Sequence, residues 1–157
     1  CEGKYVIPFA HESDKIKSSR AMFRRFPGVE EPDYFISNTS CYNAWTFVNK
    51  EHSKSMIVIA RPIIEDSDEL VTGVLAHEFG HLEFPQEKDH RKIDAVGAEL
   101  VGKEAILKML RSMNSANEVF FQKRKTLAFI FPLVYFEFSQ MSDIARGRVD
   151  YIENLPD

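Results

Sequence analysis

Apolar residues recur along this 157-residue chain with two different periods. Leu70, Val71, Val74, Leu75, Phe79 and Leu82 stand at helical spacing and predict a helix over about 67–83. Asp66 with Glu69 three residues later reads as its capping box, the acidic first turn suits the helix dipole, and Pro85 lies just beyond its end. A second helix is expected to open near Glu87 and to run through Ile93, Val96, Leu100, Ile106 and Leu110. A first helix over 13–26 is stopped by Pro27-Gly28. Two more are expected after Ser115, with Pro132 as a kink or break, and a last one over about 142–154. The β signals lie before the central helix. Tyr34-Phe35-Ile36 suggests a short strand, and 44–48 (AWTFV) and 55–60 (SMIVIA) flank the polar turn NKEHSK. These two form a hairpin or neighbouring strands of one antiparallel sheet, with His52 as a solvated turn residue.

The chain carries no internal repeat and no low-complexity tract. The length is that of a single domain over 1–157. Hydrophobic residues make up 44% and charged residues 28%, the composition of a globular chain rather than a disordered one. A net charge of −4 gives no footprint for nucleic acid. The best candidate for a membrane segment, 127–138 (LAFIFPLVYFEF), is too short to span a bilayer and reads as a buried core helix, with a membrane-surface element as the alternative. The Phe-rich segment 120–138 is likewise read as core, with the wall of a substrate groove as the alternative. Two cysteines, Cys1 and Cys41, are too few for a disulfide framework and are expected as free thiols, with one bridge between them as the alternative. Compartment is left open: a mature lipid-anchored or secreted protein can begin with Cys1, and so can a trimmed chain.

The chemistry concentrates on the central helix. His77-Glu78-Phe79-Gly80-His81 is an HExxH pattern, of which about 0.015 chance matches are expected at this composition. Residues four apart share a helix face, so His77 and His81 can offer two imidazole nitrogens to one metal ion. Glu78 lies beside them as a general base for a water that the metal acidifies.

A catalytic zinc takes three protein ligands and keeps one open position. If the chain reverses near residue 85, position 89 comes level with 81, and 93 with 77. His90 and Asp94 sit at that level on one face. His90 is the first candidate for the third ligand. Asp94 is the second, or else it orients a ligand by accepting the other ring N–H of His77 or His81.

At these residues the chain resembles the HtpX-type zinc peptidases, the gluzincin group that includes the CAAX prenyl-protein endopeptidases. The resemblance rests on Asn43-Ala44, on Glu69-Leu70, on 74–81 (VLAHEFGH), on 90–94 (HRKID) followed by GAELVG from Gly97, and on 148–152 (RVDYI). It spans about 42–152 and is most specific over 69–81. It implies His77 and His81 as ligands, Glu78 as base and Asp94 as the carboxylate behind the ligands. His90 stands where the family has a Glu ligand, and Met141-Ser142-Asp143 replaces its His-Pro. The oxyanion helper is therefore open among Arg148, Arg146 and a Tyr.

Together these residues predict an α+β, zincin-like fold. A small antiparallel sheet would pack on the HExxH helix and on a second, ligand-bearing helix, with a helical C-terminal part. The expected activity is zinc-dependent hydrolysis of peptide bonds. The protein or peptide substrate would lie extended along an edge strand, expected at 55–60. The alternative is a catalytically silent zinc-binding interaction module.

Overall fold

The run SMIVIA is apolar at nearly every position, and a strand that is apolar on both faces belongs inside a sheet. The computed structural model places it there. The model describes residues 6–8, 21–25, 30–49, 54–130 and 144–156, with side chains except those of 6–8, 49, 117 and 120–130. Strands β1 (Val6–Pro8), β2 (Asp33–Ser37), β3 (Ala44–Asn49) and β4 (Lys54–Ala60) form one sheet in the order β1-β2-β4-β3. Ile57, Ile59 and Ala60 of β4 are fully buried. β3 and β4 pair antiparallel, Ala44 opposite Ile59, as the hairpin pattern predicts.

Two expectations about the sheet are corrected. It is mixed rather than antiparallel, because β4 inserts between β3 and β2 and runs parallel to β2. Among the described residues β3, and not 55–60, lies at an edge of the sheet. The physical reason is composition: β3 carries Thr46 and the exposed Phe47 and Val48, whereas β4 is apolar enough to be covered on both sides.

A short helix α1 (Arg61–Ile64) leads into α2 (Asp68–Glu83), the HExxH helix. Its N-cap is Ser67, whose hydroxyl accepts from the Leu70 N–H. The capping residue is therefore one position later than expected, and Asp66 instead accepts from the Ser67 N–H. α2 is apolar around most of its circumference and is correspondingly enclosed. Leu70, Val74, Leu75 and Phe79 are at most 1% exposed, each burial contributing about 1.5–3 kcal/mol. β3, α3 (His90–Val101) and α4 (Lys103–Ile130) pack around it. Phe23, near the start of the described chain, sets its ring against Phe79 at a centroid distance of 5.4 Å.

The second helix begins later than expected and is divided. Asp89 caps α3 by accepting from the Arg91 N–H. Gly102, at φ 88°, ends it, a backbone conformation that glycine adopts without steric cost. α4 then runs unbroken past Ser115 to Ile130, so the helix expected to open just after Ser115 is the continuation of α4. Helix returns over 144–153, matching the last predicted element.

The close fit of α3 on α2 depends on Gly80. A Cβ there would stand 2.8 Å from Ile93 Cγ2, and Ile93 is fully buried. Cys41 is disulfide-bonded, which corrects the expectation of free thiols. Cys1 is the only other cysteine, and it lies outside the described residues, as do 13–20, His52, Pro132 and 141–143. The side chains of 120–138 also lie outside them. Among the described residues no helix is long and apolar enough to cross a membrane.

Candidate metal centre

Helical spacing puts His77 and His81 on one face of α2, and the turn at 84–89 brings α3 back across that face. His90, the first residue of α3, lands between them. The nearest ring nitrogens of His77, His81 and His90 lie within 4.8 Å of one another. The three rings surround a common point: His77 and His90 are stacked at 5.4 Å, and His81 stands edge-on to both, at 4.8 and 5.0 Å. His77 is buried, His81 half-buried and His90 exposed.

The donor set fits zinc. His77 Nε2 and His90 Nδ1 are 3.4 Å apart. Two nitrogens at about 2.0–2.1 Å from a tetrahedral zinc stand about 3.3–3.4 Å apart. Burial first, and then the charges of His77, His90 and Arg148, lower the pKa of His81 to about 4, so its imidazole is neutral at neutral pH. Burial and the neighbouring Arg148 also push His90 down. Neutral imidazole is the form that donates a lone pair to a metal.

Asp94 stands behind this set. It is fully buried one turn beyond His90, and its Oδ1 lies 2.7 Å from His77 Nδ1. This assigns the tautomer: His77 donates its Nδ1–H to the carboxylate and turns Nε2 towards the other two histidines. Of the two arrangements considered for Asp94, the contact with His77 Nδ1 is the one observed. Burial alone would raise its carboxyl, but the hydrogen bonds from Arg148 and His77 and their charges hold it below the usual range.

Arg148 supplies the other half of that balance. Its Nε donates to Asp94 Oδ2 at 2.7 Å and its Nη2 to Oδ1 at 2.8 Å. The side chain considered as an oxyanion helper is therefore held in a bidentate pair with Asp94, although it also borders the cleft.

Glu78, the next residue after His77, is also buried. Thr46 Oγ1 donates to its Oε2 at 2.6 Å and lies 3.2 Å from its main-chain carbonyl oxygen. Burial raises the Glu78 carboxyl, against the charge of His77, the Thr46 bond and Arg148, and so makes it a better proton acceptor. Thr46 was not among the residues singled out from the sequence. Its signal was indirect, a position two along from Ala44 and so on the strand face that meets α2.

A cleft of about 520 Å³ opens between β3 and α2 onto Glu78 and the three histidines. Val74, Met109 and Met113 form an apolar wall, and Trp45 and Phe47 line the strand side. No protein-family model, curated protein or solved structure matches this chain.

Proposed function

We propose that this protein is a zinc-dependent endopeptidase. The observation that carries the proposal is the convergence of His77, His81 and His90 next to a buried carboxylate, Glu78, that is not one of the three. A purely structural site has no use for such a base. The likeness of 74–81 to the HtpX-type peptidases supports the same reading. His77, His81 and His90 would hold the zinc, which when bound supplies a Lewis acid that acidifies water and polarises a carbonyl.

Glu78 removes a proton from the attacking water as its oxygen adds to the scissile carbonyl carbon. The same carboxyl then delivers that proton to the amide nitrogen as the C–N bond breaks, leaving a carboxylate and an amine. Asp94, braced by Arg148, keeps the His77 ring oriented throughout.

The substrate would lie extended along β3. The Ala60 N–H donates to the Asn43 carbonyl, so residues 45 and 47 also turn their main-chain groups towards β4. Ala44, Thr46 and Val48 then face the open edge, where a peptide strand can pair with them.

Glu78→Gln tests the assignment. It should keep one zinc per chain and lose nearly all cleavage of an unstructured protein substrate. Zinc bound by the wild type without cleavage would favour the silent interaction module, a reading supported by the engagement of Arg148 with Asp94. A folded wild type without zinc would remove both.

A further inference from the structure

Thr46 belongs to two sites at once. Its main chain lies on the open edge of β3, and its hydroxyl reaches Glu78 Oε2 at 2.6 Å. The 3.2 Å distance to the Glu78 carbonyl is longer, so the single hydroxyl proton goes to the carboxylate, where the bond is charge-assisted. The terminal torsion of a glutamate is broad and roughly two-fold. Burial by itself therefore does not fix the plane of the Glu78 carboxylate. The Thr46 bond fixes it, by holding one of the two equivalent oxygens at 2.6 Å and leaving the other to accept a proton.

We infer that Thr46 is a positioning residue that ties peptide docking on β3 to the alignment of Glu78. A peptide pairing with the Thr46 N–H and carbonyl settles the strand that carries the hydroxyl, and the hydroxyl settles the base. The inference rests on the proposed peptidase activity. It assigns Thr46 an effect on turnover and none on docking, since the docking groups are main-chain atoms that a side-chain change leaves in place.

The test compares Thr46→Val, which keeps the shape and removes the donor, with Thr46→Ser, which keeps the donor. Both are made in the full chain loaded with zinc. Thr46→Val should lower kcat by about 10–100-fold, with KM within about two-fold and zinc content unchanged. Thr46→Ser should restore most of the rate. Crystal structures of the two metal-free variants give a readout independent of turnover: the Glu78 carboxylate should leave its position in Thr46→Val and keep it in Thr46→Ser. Wild-type kcat in Thr46→Val, a loss confined to KM, an equally impaired Thr46→Ser, or an unmoved Glu78 carboxylate would each overturn the inference. A wild type that binds zinc but cleaves nothing would instead overturn the peptidase reading, and the carboxylate position would still decide whether Thr46 anchors Glu78.

Discussion

Arg148 closes on Asp94 through two hydrogen bonds, at 2.7 and 2.8 Å, from 54 residues further along the chain. Asp94 in turn holds His77 Nδ1 at 2.7 Å, so the C-terminal helical segment is linked to the His77 ring through one buried carboxylate. In the proposed zinc site that link would make metal affinity depend on residues that do not touch the ion.

Arg148→Ala is expected to weaken zinc binding by about 10–100-fold without abolishing it, because it removes a brace and not a ligand. Asp94→Asn should fall in the same range. His90→Ala should lose far more, since it deletes a donor. Competition against a zinc chelator measures all three. Zinc retained by His90→Ala and lost by Asp94→Ala would make Asp94 the third ligand.

Removing the metal should cost stability by mass action. At a free zinc concentration 100 times the dissociation constant, binding contributes about 2.7 kcal/mol, so the melting temperature should rise by several degrees when zinc is added. Glu78→Gln should show the same rise. His81→Ala should show almost none, and calorimetry on chelator-treated protein distinguishes the two.

Gly80→Ala should damage both the fold and the site. The new methyl would press on fully buried Ile93 at 2.8 Å and drive α3 away from α2. Overpacking of this kind costs about 1–3 kcal/mol. Because Asp94 and His90 ride on α3, zinc affinity should fall in parallel with stability under urea. Unchanged affinity would show that the helices part without moving the ligands.

A pH-dependent contribution is expected away from the metal centre. Tyr42 donates its hydroxyl to Asp66 Oδ2, joining the approach to β3 to the turn before α2. That bond first, and then the Ser67 N–H, hold the Asp66 carboxyl below its usual range. As pH falls the unfolded chain takes up its proton first, so the contribution is full above about pH 5 and is lost through the lowered value. Tyr42→Phe should therefore cost about 0.5–1 kcal/mol at pH 7, discounted for the exposure of Asp66, and progressively less below pH 4. Urea denaturation of both proteins at the two pH values measures the difference.

The chain by itself determined whatever depends on residues a few positions apart. Helical periodicity, the four-residue spacing of His77 and His81, the adjacent Glu78 and the β3–β4 hairpin are local, and the tight turn before residue 90 brings His90 and Asp94 to the level of the HExxH pair. The continuous apolar run of β4 also carried its interior position, although the expectation placed the docking edge there. Gly102 was visible as a residue, but the break it makes depends on a φ of 88° that no periodicity reports. Tertiary structure alone decided the insertion of β4 beside β2, the engagement of Arg148 with Asp94 and the reach of Thr46 to Glu78. Each joins segments separated by tens of residues, where the partner is chosen by how buried faces and buried charges are jointly satisfied. Spacing along the chain carries no record of that choice.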